Sequence, residues 1–90
     1  MQLRILIINE ADNVGVALED IPAGAVLVLP AGGELVAATD IPLSHKVALA
    51  DLAQGEPLIK YGEIIGRAAV PIRAGEWVHT HNMQAEERTS

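Results

Sequence analysis

The chain has 90 residues, a net charge of −6 and no cysteine, which bounds it to one small domain without disulfides or thiolate metal sites. Its six Lys and Arg are scattered at Arg4, Lys46, Lys60, Arg67, Arg73 and Arg88, and Trp77 and Tyr61 are its only aromatics. That excludes a phosphate-backbone binder and a base-stacking platform, so no nucleic-acid partner is expected. Half the residues are apolar, mostly small aliphatics, as in a globular chain.

Leu3 to Ile8 is a continuous aliphatic run that predicts a strand buried on both faces or lying near a partner. It is too short for a signal or membrane segment before Asn9-Glu10, so no membrane association is expected. With the lack of cysteine this predicts a cytoplasmic protein. Asp12-Asn13 forms a turn into the short strand Val14 to Leu18.

A recurring pattern follows. Ile21-Pro22-Ala23-Gly24-Ala25-Val26 returns closely as Ile72-Arg73-Ala74-Gly75-Glu76-Trp77. Ile41-Pro42-Leu43-Ser44-His45-Lys46-Val47 and Leu52-Ala53-Gln54-Gly55-Glu56-Pro57-Leu58 are looser copies. Each reads as a tight turn, with Pro presetting φ, Gly supplying positive φ and the flanking apolar residues tucked inward. Such turns leave room only for short strands, the mark of a small, mainly β domain. Their unequal intervals, roughly 20, 11 and 20 residues, argue against a solenoid.

Between the turns, Val26 to Leu29 and Glu34 to Thr39 predict a hairpin across Pro30-Ala31-Gly32-Gly33. His45 to Leu52 alternates like a strand, although Ala, Leu and Lys would also suit one or two helical turns. Pro57 to Tyr61 and Glu63 to Val70 flank a polar turn, and Gly66 predicts a bulge or a close backbone approach. Residues 83–90 read as a flexible C-terminal tail.

The polar groups fall into Asp12-Asn13, His45-Lys46, Lys60 to Glu63 and His79 to Asn82. Lys46 and Lys60 suit a carboxylate or phosphate as point charges. If Trp77 to Asn82 is extended, Trp77, His79 and His81 share one face. The two histidines would then lie roughly 6.8 Å apart at about 3.4 Å of rise per residue, close enough to converge on one metal ion or anion. Glu63 is a further candidate metal ligand or base. The same side chains also suit plain solvated roles, and no Ser–His–Asp order, phosphate loop or zinc-helix motif is present. No catalytic residue is named, and a complete active site within this chain is not expected.

Taken together, Ile8-Asn9, Asp12-Asn13-Val14, Asp40-Ile41-Pro42, His45 to Leu49, Gly55-Glu56-Pro57, Ile59 to Glu63, Ile65-Gly66 and Gly75 to Asn82 resemble the N-terminal SAF-type domain of the altronate/galactarate dehydratase family. The resemblance implies a β-clip fold over residues 1–82, built of short strands and tight Gly/Pro turns. It implies a small subunit of a lyase that dehydrates a sugar acid, of altronate or galactarate type, to a 2-keto-3-deoxy acid. Such a subunit would be inactive without a large catalytic subunit whose site it caps or completes. The alternatives are the small subunit of a sulfolactate sulfo-lyase, which eliminates sulfite, or a non-catalytic SAF-type binding module. The implied cofactor is a divalent metal, typically iron(II), which the large subunit could mainly hold. His45, Lys46, Lys60, Tyr61 and Asn13 then become candidate contacts to an anionic sugar acid, and His79, His81 and Glu63 candidate metal ligands. Apolar segments such as Leu3 to Ile8 leave self-association open as well.

Overall fold

Four turns of one kind set the architecture of the computed structural model, which describes residues 2–30 and 32–85. In each, a carbonyl accepts the N–H three residues on, from Ala25 to Pro22, His45 to Pro42, Glu56 to Ala53 and Glu76 to Arg73. The third residue has positive φ, at 88° for Gly24, 72° for Ser44, 88° for Gly55 and 89° for Gly75. This is type II turn geometry, which explains the glycine at three of the four positions. The aliphatic residue opening each turn is buried and bridges its counterpart, Ile21 with Ile41 and Leu52 with Ile72.

Aspartates tie the turns in pairs. Asp40 Oδ1 accepts the Ala23 N–H and Asp20 Oδ1 accepts the Leu43 N–H, each at 2.8 Å. Asp51 Oδ1 accepts the Ala74 N–H at 2.9 Å. Pro71 stands where a fourth aspartate would, and in that pair Ala53 N–H turns to Glu56 Oε1 instead.

The strands are β1 (Gln2–Leu6), β2 (Val14–Ala17), β3 (Val26–Val28), β4 (Glu34–Val36), β5 (Lys46–Ala48), β6 (Pro57–Lys60), β7 (Glu63–Ala68), β8 (Trp77–Val78) and β9 (Met83–Ala85). They form a six-stranded sheet in the order β4-β3-β1-β2-β5-β8 and a three-stranded sheet in the order β6-β7-β9. Among the described residues, only β1–β3 is a parallel pair. No helix is present among the described residues, so none is long and apolar enough to cross a membrane. The expected small, mainly β domain is what forms.

Two apolar cores lie within it, and they are copies of one plan. Ala17, Ile21, Leu27, Ala37, Ile41 and Val47 in the first correspond, at one constant sequence offset, to Ala48, Leu52, Leu58, Ala68, Ile72 and Val78 in the second. Backbone bonds repeat with them: Gly24 N–H to Ala37 O matches Gly55 N–H to Ala68 O, both at 2.8 Å. The unequal turn intervals are therefore one duplicated unit, in which a long and a short interval alternate. Strand β5 joins the halves, because alternation sends Val47 into one core and Ala48 into the other.

Three expectations change. β1 is buried on one face only: Leu3 and Ile5 enter the first core while Arg4 and Leu6 are exposed, since β1 has strands rather than a second layer beside it. Met83–Ala85 are not part of a flexible tail, because they pair with β7 as β9; the rest of that expectation, residues 86–90, lies outside the described residues. The run from Trp77 to Asn82 is not extended throughout, since β8 ends at Val78 and a turn follows. The Gly66 expectation holds in both forms. The β6–β7 register shifts opposite it, and a Cβ there would stand 2.5 Å from the Gln84 carbonyl oxygen.

Candidate functional site

Strand β8 is one of the two edge strands of the larger sheet, and its first residue is the chain's only tryptophan. Trp77 pairs with Val47, packs on the first core, and donates its backbone N–H to Thr39 Oγ1 at 3.0 Å. The turn beyond it is closed by Asn82, which is only 4% exposed. Asn82 Oδ1 accepts the His79 N–H at 3.0 Å, and its amide nitrogen donates to Trp77 O at 2.9 Å. One buried amide thus replaces the ladder bonds that an extended strand would have made, as Asn commonly does in turns.

The turn still delivers both histidines to the tryptophan. His79 stacks on the indole with centroids 5.5 Å apart and planes 8° from parallel, and His81 lies at 5.0 Å on a tilted plane. From the preceding turn, His45 meets Trp77 edge-on at 5.5 Å and His79 at 5.0 Å. The indole Nε1–H donates to His45 Nδ1 at 3.0 Å. His45, His79 and His81 therefore form one cluster around Trp77, with His79 and His81 exposed and His45 half-buried. This link between distant segments has no local sequence signal. The one hint was a single tryptophan sharing a face with histidines.

The second group lies on the β6–β7 hairpin and the segment facing it. Strand alternation turns Lys46 to the side of Ala48, away from His45. Burial, and then the like charge of Lys60, hold the half-buried Lys46 ammonium below its ordinary pKa. Lys60 Nζ sits 4.6 Å from the centroid of the Tyr61 ring, within cation–π range. Tyr61 and Gly62 are the two loop residues of the hairpin, with φ of 57° and 75°, the pattern of a type I′ turn. Tyr61 is 52% exposed, so its hydroxyl end is presented rather than packed away. Glu63 opens β7 on the exposed side.

Asp12 clamps this tip. Its Oδ1 accepts the Gly62 N–H at 2.8 Å and its Oδ2 the Asn9 N–H at 3.1 Å. Slight desolvation raises the Asp12 pKa, but these backbone hydrogen bonds outweigh it and hold the carboxyl below its ordinary value. Asn13 is used between the sheets: its amide oxygen accepts the Ile59 N–H at 2.7 Å and its nitrogen donates to Pro57 O at 2.9 Å. The Asn13 side chain thus serves the backbone of β6, joining the halves, and not an open ligand position.

Among the described residues, no three His, Cys, Asp or Glu side chains gather to hold a metal ion, so Glu63 does not join His79 and His81 in one. Nor does His45 suit a metal. A ligating histidine passes its other ring N–H to an acceptor, whereas the second nitrogen of His45 faces the N–H of Trp77. By themselves these side chains do not make a self-contained metal centre.

Residues 3–86 match the model of the altronate/galactarate dehydratase SAF domain. The chain belongs to this family. Over 80 residues, 89% of the chain, it is 39% identical to altronate dehydratase of Escherichia coli, and spans 16% of that enzyme. It is 38% identical over 71 residues, 79% of the chain, to galactarate dehydratase (L-threo-forming) of the same organism, spanning 13% of it. To the (2R)-sulfolactate sulfo-lyase subunit alpha of Paracoccus pantotrophus it is 46% identical over 52 residues, 58% of the chain and 78% of that subunit. The SAF domain is thus found both within large dehydratases and as a lyase subunit of its own.

Proposed function

We propose that this SAF domain is the small subunit of a lyase, completing the active site of a separate large chain that removes water from an altronate- or galactarate-type sugar acid to give a 2-keto-3-deoxy acid. The observation that carries this reading is the pair of size relations. The matched segment is a small fraction of each dehydratase, yet it covers most of a protein named as a lyase subunit. The small core fits a chain that works against a partner.

An anionic substrate class is supported by the second group of side chains. Lys46 and Lys60 repel each other, and an anionic carboxylate between partner and hairpin relieves that repulsion and raises the Lys46 pKa back toward its ordinary value. Tyr61 adds a hydroxyl at the same tip. Elimination beside a carboxylate builds negative charge on its oxygens, which fixed cations stabilise more in the transition state than in the substrate. The divalent metal, iron(II) in this reading, supplies Lewis-acid stabilisation and is held mainly by the large subunit. His79 and His81 contribute at most part of its surroundings.

The second reading, loss of sulfite from sulfolactate, is favoured by the higher identity to sulfo-lyase subunits, 50% over 46 residues for that of Chromohalobacter salexigens. The two are separated by co-expressing the chain with a large dehydratase-type subunit lacking a SAF domain, and assaying hexonates, hexarates and sulfolactate with iron(II). A keto acid formed without sulfite supports dehydration. Sulfite release supports the second reading. If the chain neither co-purifies with the large subunit nor alters its products, both fail and a separate binding module remains.

A further inference from the structure

The bond between Trp77 and His45 has a chemical consequence. An indole N–H can only donate, so His45 Nδ1, 3.0 Å away, must offer a lone pair. A neutral imidazole has one proton, which is then confined to Nε2. We propose that Trp77 is a positioning residue that locks His45 in the Nε2–H tautomer, making it a fixed hydrogen-bond donor to an oxyanion of the substrate. A metal ion on Nε2, or proton uptake there by a general base, would put a proton on Nδ1 opposite the indole N–H, so neither role is open while the bond stands.

The surroundings support a donor. His45 is half-buried against the stacked pair of Trp77 and His79, whose ring centroids lie 5.5 and 5.0 Å from its own. The tautomer stands on geometry alone, and its use toward a carboxylate rests on the reading given under Proposed function.

The test begins with long-range proton–nitrogen NMR of the 90-residue chain labelled at histidine nitrogen. His45 is expected to show one unprotonated Nδ1 and one protonated Nε2, while the exposed His81 averages between tautomers. A His45 spectrum with Nδ1 protonated, or averaged like His81, overturns the proposal. Trp77→Phe keeps a ring and removes the N–H, and is expected to release His45 into averaging.

In the reconstituted enzyme, His45→Gln and His45→Asn divide the roles. Gln extends an N–H toward the Nε2 position and is expected to keep KM within about threefold. Asn reaches only the Nδ1 position, and losing a hydrogen bond to a charged oxygen raises KM about tenfold. Equal inactivation by both, through kcat, would show His45 acting as a ligand or base and would overturn the donor role. If no large chain responds to this subunit, the Proposed function fails, but the NMR result still decides the tautomer.

Discussion

Gly75 carries two burdens that its counterparts carry singly, and replacing it with alanine separates them. Gly24, Gly55 and Gly75 share a turn type, with φ of 88°, 88° and 89°. An added Cβ meets nothing within 4 Å at Gly24 or Gly55. At Gly75 it overlaps the Val36 carbonyl oxygen and comes within 3.1 Å of Ala38 N. Left-handed backbone alone costs an L-residue about 1–2 kcal/mol, so Gly24→Ala and Gly55→Ala should each destabilise by about that much. The overlap at Gly75 is with backbone rather than a flexible side chain, and adds about 1–3 kcal/mol of overpacking. Gly75→Ala should therefore cost about 2–5 kcal/mol, a large part of the stability of a domain this size. Urea unfolding, followed by the single tryptophan, measures all three on one scale. The Trp77 emission of Gly75→Ala should also shift in the folded state, because Ala38 N–H bonds Gly75 O and Thr39 holds the Trp77 backbone. Equal midpoints for the three variants, within about 0.5 kcal/mol at unchanged m, would refute the close approach of this turn to β4.

Asn13→Ala leaves Ile59 N–H and Pro57 O without their partner and should cost about 2–3 kcal/mol by urea unfolding; a change below about 0.5 kcal/mol would show that the amide does not join the halves. The depressed carboxyl of Asp12 stabilises the hairpin tip above the ordinary aspartate value, about pH 4, and that contribution is lost as pH falls through the folded value. Exchange of the Gly62 amide should accordingly gain an acid-side step on top of its intrinsic pH dependence that Asp12→Asn lacks, and an identical profile in both would contradict the clamp. For Lys46 the sign is opposite. Its lowered pKa destabilises the fold while the ammonium is charged, and the penalty fades as pH rises from the folded value to the ordinary lysine range, about 10.4. Lys60→Met should raise the Lys46 pKa, read from its Cε shift on titration, and no change would mean that the two ammonium groups do not sense each other. Gly66→Ala should release β9 from β7, with loss of amide protection at Met83 to Ala85 while the first core keeps its own.

Much of the fold was legible because its signals are local. Gly supplies positive φ in three of the turns, while Pro22 and Pro42 stand at the first turn position rather than at a central one, and Tyr61-Gly62 between aliphatic runs reads as a hairpin tip. Gly66 announced both its bulge and its crowded neighbour. The duplication was harder to see although five of the six matched core pairs are identical, Ala17 with Ala48, Leu27 with Leu58, Ala37 with Ala68, Ile41 with Ile72 and Val47 with Val78, because these are common small aliphatics separated by dissimilar residues. The alternation of Trp77 to His81 mimics a strand, and the competing signal was Asn82, whose amide closes the turn. In the candidate site, Lys46 and Lys60 could be singled out as lone cations in an aliphatic chain, but not as neighbours. The pairing of His45 with Trp77 depends on β5 meeting β8, which no local pattern encodes. Asn13 became a candidate ligand contact through the family resemblance, and its side chain is instead taken up by the backbone of β6.

The central claim, that this chain completes a lyase rather than acting alone, is tested most directly by titrating it into a fixed amount of the large subunit and measuring turnover of a hexonate, a hexarate and sulfolactate with iron(II). The account predicts no turnover from either chain alone, and a rise with added small chain that saturates at a fixed ratio. A large chain that turns over equally well without it would contradict the account.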